Sequence, residues 1–320
     1  MQIFTCPNCG ASLYFHNTGC VCGEQVSFAP DSQAMVPLRD PCANREIIGC
    51  NWLAENGGLC RSCAMTEVLP DLREDANRPL WETSELAKRW MLASLMRWGW
   101  FTPADPGDRP VFKMLSEVTA AGDANVVMGH ANGTITINVS EASEAEIVKR
   151  QEQLSELYRS MLGHMRHETA HFLFVRLSDS PEFLDQFRTV FGDERADYGK
   201  ALERHYDDPE PADYDHITSY ANAHPHEDWA ETLAHLMHLI DLLDSAAAVS
   251  LSLPEGPKPG HDPYATADVD AEISMAVDMA IAINHVNRAM DLPDLYPFVL
   301  TQGVREKISF AHGWLRRNAS

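Results

Sequence analysis

The residues best suited to chemistry are His167-Glu168-Thr169-Ala170-His171. Histidines four positions apart project from one face of a helix, so both imidazoles can reach one metal ion. Glu168 then lies beside a water bound to that metal. Zinc lowers the pKa of such a water to about 7, and a neighbouring carboxylate can take its proton and later pass it to a leaving amine. A third ligand must come from a later element. The strongest source is His224-Pro225-His226-Glu227-Asp228-Trp229-Ala230-Glu231, where Pro225 signals a helix start. Glu227 and Glu231 are four apart and share one face, so both are candidates.

Other polar residues gather around these strings. Tyr220 and His224 precede the second helix, and either could donate a hydrogen bond to an oxyanion. His164 approaches the face of the first histidine pair, as packing or as a support for the ligands. His235 and His238 continue the face of Glu227 and Glu231, and hydrogen-bonded core histidines are the plain reading of both. The run Asp193-Glu194-Arg195-Ala196-Asp197-Tyr198 is either a solvated helix start or a buried ion network.

A second chemistry sits at the N-terminus. All eight cysteines fall between Cys6 and Cys63. Cys6-Pro7-Asn8-Cys9-Gly10 has zinc-knuckle spacing, and Cys20-Val21-Cys22-Gly23 is a knuckle one residue short. Four thiolates at about 2.3 Å close a tetrahedral shell, which makes a structural site. Cys42, Cys50, Cys60 and Cys63 supply a second set of four, of which only Cys60 and Cys63 have knuckle spacing. Close clustering without an apolar leader points to metal ligation in a reducing, cytoplasmic compartment. A segment this short buries too little core to fold unaided, so metal supplies much of its folding energy.

Charge and hydropathy narrow the remaining classes. The formal net charge is −22, which opposes nucleic-acid phosphate and anionic lipid. Residues 1–75 carry four Arg and no Lys against nine Asp plus Glu, a balance of 4 − 9 = −5. A ribbon that grips DNA should be basic. No apolar run approaches the roughly 18 residues of a membrane span; the most apolar stretches lie around Ala246–Leu253 and Ile273–Ile283.

The elements that must position these groups follow from periodicity. Trp81 to Trp100 reads as a helix through Leu86, Trp90, Met91, Leu92, Leu95 and Met96. Thr102 to Pro110 reads as a loop. Val126 to Val139 reads as two extended pieces about the turn Ala131-Asn132-Gly133. A long helix is predicted from about Glu144 to Leu177, with Leu154, Leu157, Tyr158, Met161, Leu162 and Met165 on its apolar face. Short helices and loops follow, then helices from Pro225 past Leu243, from Asp270 to Met290 and from Gln302 to Arg317, with an exposed loop over Leu253 to Ala267. The expectation is α+β and mainly helical, with a ribbon module over residues 1–75 and a body over 76–320.

The chain resembles the bacterial zinc-binding metallopeptidases that carry an N-terminal zinc ribbon. The likeness rests on the first cysteine set, Pro41-Cys42-Ala43-Asn44, Cys50-Asn51-Trp52, Ile135-Thr136-Ile137-Asn138 and Arg166-His167-Glu168. It continues through Phe191-Gly192-Asp193-Glu194-Arg195-Ala196-Asp197-Tyr198, His224 with Glu227-Asp228-Trp229-Ala230-Glu231, and Leu292-Pro293 with Tyr296-Pro297-Phe298. The one departure is C-x-C in the second knuckle. The resemblance implies a zincin-like domain behind a double zinc ribbon. The later string is similar to the gluzincin pattern, which implies Glu227 as the ligand and Glu231 as the acid that holds a ligand histidine by its other nitrogen. On that pattern His167, His171 and Glu227 bind catalytic zinc, Glu168 is the base, and three Zn2+ are bound per chain. The substrate would be a peptide or protein, with a protein partner at the ribbon. Two rivals stand beside this: a binding ribbon on an inactive zincin-like platform, which retention of Glu168 opposes, and a DNA-associated protease, which charge opposes.

Overall fold

The computed structural model describes residues 2–55, 57–143, 146 and 160–317. The chain divides into two compact units, Met1–Met165 and Arg166–Ser320.

The first unit opens with two small antiparallel hairpins, β1 (Phe4–Thr5) with β2 (Ser12–Leu13) and β3 (Val26–Ala29) with β4 (Ala34–Pro37). Single-turn helices α1 (Arg45–Ile48) and α2 (Arg61–Ala64) follow. The core of this segment gathers around Phe28, with Phe4, Phe15 and Trp52 centred 5.0–5.6 Å away and Leu13, Val26 and Ile48 also buried. That is a small core, as the shortness of the segment requires. β5 (Thr66–Val68) leads into α3 (Asn77–Met96), whose Trp81, Met91, Leu92 and Leu95 are buried. The helix starts four residues before the predicted Trp81 and stops at Met96, where Trp98 and Gly99 turn the chain.

β6 (Val111–Leu115), the hairpin β7 (Val118–Thr119) and β8 (Gly122–Asp123), β9 (Gly129–Ala131) and β10 (Thr134–Asn138) complete the strands. Four form one sheet in the order β5-β6-β10-β9, with β6 parallel to both its neighbours and β10 antiparallel to β9. The two extended pieces expected around Asn132 are β9 and β10. Their two-residue loop has Asn132 at φ 50° and Gly133 at φ 78°, the paired positive values that a tight hairpin requires. The central strand β6 was not anticipated.

α4 (Met161–Leu177) begins in the first unit and runs into the second. The earlier part of the predicted helix, with Leu154, Leu157 and Tyr158, lies outside the described residues. Then come α5 (Pro181–Phe191), α6 (Tyr198–Asp207), a 3-10 turn (Tyr220–Ala223), α7 (Pro225–Ala248), α8 (Val269–Ala289) and α9 (Gln302–Arg316). Their starts are chemically marked. Ser180, Asp197, His224, Asp268 and Thr301 each accept a backbone N–H at a helix N-terminus. Proline opens α5 and α7, where its missing N–H costs nothing.

α7 is the axis of this unit, buried on nearly every side. Its Trp229 sits in an aromatic cage of Phe174, Phe183, Phe187, Phe191 and Phe310, mostly edge to face at 5.5–6.3 Å. The fold is α+β with helices predominating, as the periodicity predicts. Among the described residues no helix is long and apolar enough to cross a membrane.

Candidate metal centres

Both cysteine sets gather. Cys6, Cys9, Cys20 and Cys22 bring their sulfurs within 4.8 Å of one another, and so do Cys42, Cys50, Cys60 and Cys63. Bonds of about 2.3 Å to zinc give a tetrahedral edge of about 3.8 Å. The sulfur separations are 3.8 Å for Cys6–Cys22, 3.6 Å for Cys9–Cys20, 3.6 Å for Cys50–Cys60 and 3.7 Å for Cys50–Cys63. The C-x-C knuckle therefore closes the first set despite its missing residue, because Gly23 turns at φ 91° directly after Cys22. In the second set the backbone N–H of Cys60 donates to Cys42 Sγ at 3.3 Å and that of Cys63 to Cys60 Sγ at 3.4 Å. The two sets differ in shelter: all four cysteines of the second are buried, whereas Cys9 and Cys22 of the first are exposed. Arg89 of α3, only 2 % exposed, lies where its charge acts on Cys50.

The third cluster belongs to α4 and α7. His167 Nε2 lies 3.0 Å from Glu227 Oε2, His171 Nε2 lies 3.4 Å from the same oxygen, and the two nitrogens are 3.1 Å apart. Ligand bonds of about 2.0 Å predict a tetrahedral edge of about 3.3 Å. The protons are arranged to match. His167 Nδ1 lies 2.7 Å from Glu231 Oε1, a contact that keeps the proton on Nδ1 and leaves the Nε2 lone pair facing inward. Glu231 Oε2 accepts from Thr218 Oγ1 at 2.9 Å. Glu227 Oε2 is buried and receives no hydrogen bond. Such an atom calls for a positive partner, and His167, His171 and Glu227 could hold a metal ion that would supply it.

The electrostatics agree. Burial disfavours a charged His167, yet Glu227 and Glu231 outweigh it and hold its pKa well above the ordinary imidazole range. Burial would raise the Glu227 carboxyl, but His171 and His167 hold it well below the ordinary range. The cluster attracts positive charge, as a proton or as a metal.

Glu168 is 7 % exposed, and its Oε2 is buried with no hydrogen-bond partner. The other side of the helix is anchored: Trp229 Nε1 donates to the carbonyl of Ala170 at 2.9 Å, fixing α7 against the turn that separates the two histidines. Of the two oxyanion candidates, His224 has both nitrogens engaged. Its Nδ1 accepts from His226 N at 3.1 Å, and its Nε2 donates to Ala196 O at 3.2 Å. Tyr220 lies against His167, ring centres 5.9 Å apart and planes tilted by 39°. Burial first, then the charge of Glu227, hold its phenol far above the usual range, so it stays a donor.

The charged run 193–198 resolves into a turn. Asp193 pairs with Arg195 at 2.7 Å, Glu194 pairs with Arg188, and Asp197 caps α6. Its last residue is one that sequence reasoning missed. Tyr198 Oη donates to Glu227 Oε1 at 2.6 Å. The other histidines that the sequence singles out pack: His164 lies 3.2 Å from Glu141, His235 Nδ1 lies 2.7 Å from Tyr296 Oη, and His238 meets Arg166, which also pairs with Asp241.

Comparison with known proteins completes the description. Residues 77–314 match a family described as "Putative zinc-binding metallo-peptidase", and residues 3–74 match a zinc-ribbon domain. Uncharacterized proteins of Mycobacterium bovis and Mycobacterium tuberculosis are 37% identical, with 98% of this chain and 94% of each relative covered. No solved structure gives a significant match.

Proposed function

The chain belongs to the family described as "Putative zinc-binding metallo-peptidase", and on that premise we propose that it hydrolyses peptide bonds at the centre formed by His167, His171 and Glu227. The observation that carries this reading is the convergence of His167 Nε2, His171 Nε2 and Glu227 Oε2, 3.0–3.4 Å apart; Glu168, next in sequence to His167, has a buried and unpartnered carboxylate oxygen. Bound there, zinc supplies a Lewis acid for the scissile carbonyl and lowers the pKa of water to about 7. Glu168 takes the proton of the attacking water and delivers it to the amine as the bond breaks. Glu231 holds His167 in the tautomer that presents Nε2. Tyr220 is the better placed of the two oxyanion candidates, since His224 spends both nitrogens on backbone.

The reading includes three zinc ions per chain, two in the cysteine sets and one in the histidine–glutamate set. It also includes a ribbon module over residues 1–75 and a zincin-like domain over 76–320, in a cytoplasmic setting that keeps eight thiols reduced. The ribbon is a candidate surface for a protein partner.

The decisive comparison is wild type against Glu168→Gln, each zinc-loaded and given a mixed peptide library, with new termini read by mass spectrometry. Glutamine keeps the shape and cannot take the proton, so zinc content should hold while cleavage falls by roughly 10²-fold to 10⁴-fold. Equal cleavage by both proteins, or none by the wild type with three zincs bound, sinks the proposal; the second result is what an inactive binding platform predicts.

A further inference from the structure

The carboxylate of Glu227 is divided between two duties. Oε2 faces the nitrogens of His167 and His171 at 3.0 and 3.4 Å. Oε1 accepts the Tyr198 hydroxyl at 2.6 Å. The donor is the first residue of α6, a helix with only Ala201 buried among its ten residues. The Tyr198 ring is itself 42 % exposed and leans edge-on against His224, ring centres 5.2 Å apart. A surface helix thus reaches the buried carboxylate through one hydroxyl, and the Asp197 cap sets where that hydroxyl lies.

Resting on the peptidase reading, we propose that Tyr198 is a positioning residue that keeps Glu227 a one-oxygen ligand. Carboxylates bind cations through one oxygen or both. A catalytic zinc site takes three protein ligands and must keep a fourth position open. If Oε1 were unheld, rotation of the Glu227 carboxylate would bring it toward the metal, and a chelating Glu227 would crowd the position that water and substrate share. The hydroxyl prevents this by occupying Oε1. Partners of this kind around metal ligands are worth about 10-fold to 100-fold in metal affinity or activity.

The test is Tyr198→Phe, which keeps the ring and removes only the donor. With both cysteine sets filled by zinc and the third site loaded with Co2+, the wild type should show the strong visible absorption of a four-coordinate ion. Tyr198→Phe should show the weaker bands of a five-coordinate ion, with Co2+ affinity changed by about 10-fold or more. The two cysteine-bound zincs, measured in the same sample, report that the variant is folded. An unchanged spectrum together with an affinity within about threefold of wild type overturns the positioning role and leaves the peptidase reading intact. Failure of the wild type to bind Co2+ outside the cysteine sets overturns both.

Discussion

On the proposed reading, Glu231 acts on the metal through His167 and not by touching it. By holding His167 Nδ1 at 2.7 Å it turns the other nitrogen inward. Glu231→Ala should weaken zinc at the third site by about 10-fold to 100-fold, whereas Glu227→Ala should abolish it, because two histidines are too few. If titration with a zinc chelator ranks the two variants the other way, the ligand assignment is wrong by one helical turn. Most of this site was legible in the sequence, since residues four apart on a helix must share a face. Tyr198 was not: it meets Glu227 across 29 positions, and no periodicity links a helix start to a carboxylate on another helix. A different histidine sets an acid limit. Burial, then the charge of Arg316, hold His312 down to about 4, against about 6.5 in an unfolded chain. A depressed folded value means stability is present above about pH 6.5 and is lost as pH falls toward 4, where the unfolded state binds the extra proton. Chemical denaturation at pH 7.5 and 5 should therefore show a smaller acid loss in His312→Gln than in wild type; an equal loss would refute the assignment.

Helix α7 is fixed by two of the three residues between Glu227 and Glu231, Asp228 and Trp229. Asp228 turns to α9, where Lys307 Nζ donates to its Oδ2 at 2.6 Å. Burial raises the Asp228 carboxyl to about 6 even with Lys307 opposing it. Trp229 turns to α4 and donates to Ala170. Removing Lys307 leaves the buried Asp228 only the longer contacts to His216 at 3.7 Å and Thr232 at 3.5 Å, so Lys307→Met should cost about 3–5 kcal/mol in urea unfolding, against near neutrality for an exposed lysine such as Lys200. A loss below about 1 kcal/mol would show that Asp228 finds another partner. The start of α7 was readable because Pro225 carries its own signal. The strand β6 was not, although Phe112 and Met114 alternate inward. Its partners lie more than twenty residues to one side and more than forty to the other, and a strand held by remote parallel neighbours has no turn beside it to announce it.

At the scale of the whole chain, metal and core divide the work unevenly. The second unit contains no cysteine and has an aromatic core of its own around Trp229. In the first, the cysteine-rich segment is tied to the elements that follow it. Phe15 contacts Trp90 of α3, β5 pairs with β6, and Arg89 is buried near Cys50. A zinc held by four thiolates would carry two net negative charges, and the buried Arg89 places a positive charge that acts on Cys50. Chelation of the cysteine-bound zinc should therefore open protease sites throughout residues 1–165, while Arg89→Met should leave α3 folded but loosen the second zinc. Confinement of cleavage to residues 1–75 would show that α3 and its sheet stand without the ribbon.

The unequal shelter of the two cysteine sets has a consequence in oxidation chemistry. A peroxide attacks only sulfur it can reach, and removing two electrons from a pair of thiolates joins them and expels their metal. Cys9 and Cys22 can be reached; Cys42, Cys50, Cys60 and Cys63 cannot. Mild peroxide should release one equivalent of zinc early, from the first set, and a colorimetric zinc indicator should record a second equivalent only after a long delay. Simultaneous release of both would mean that the buried set opens to solvent as readily as the exposed one.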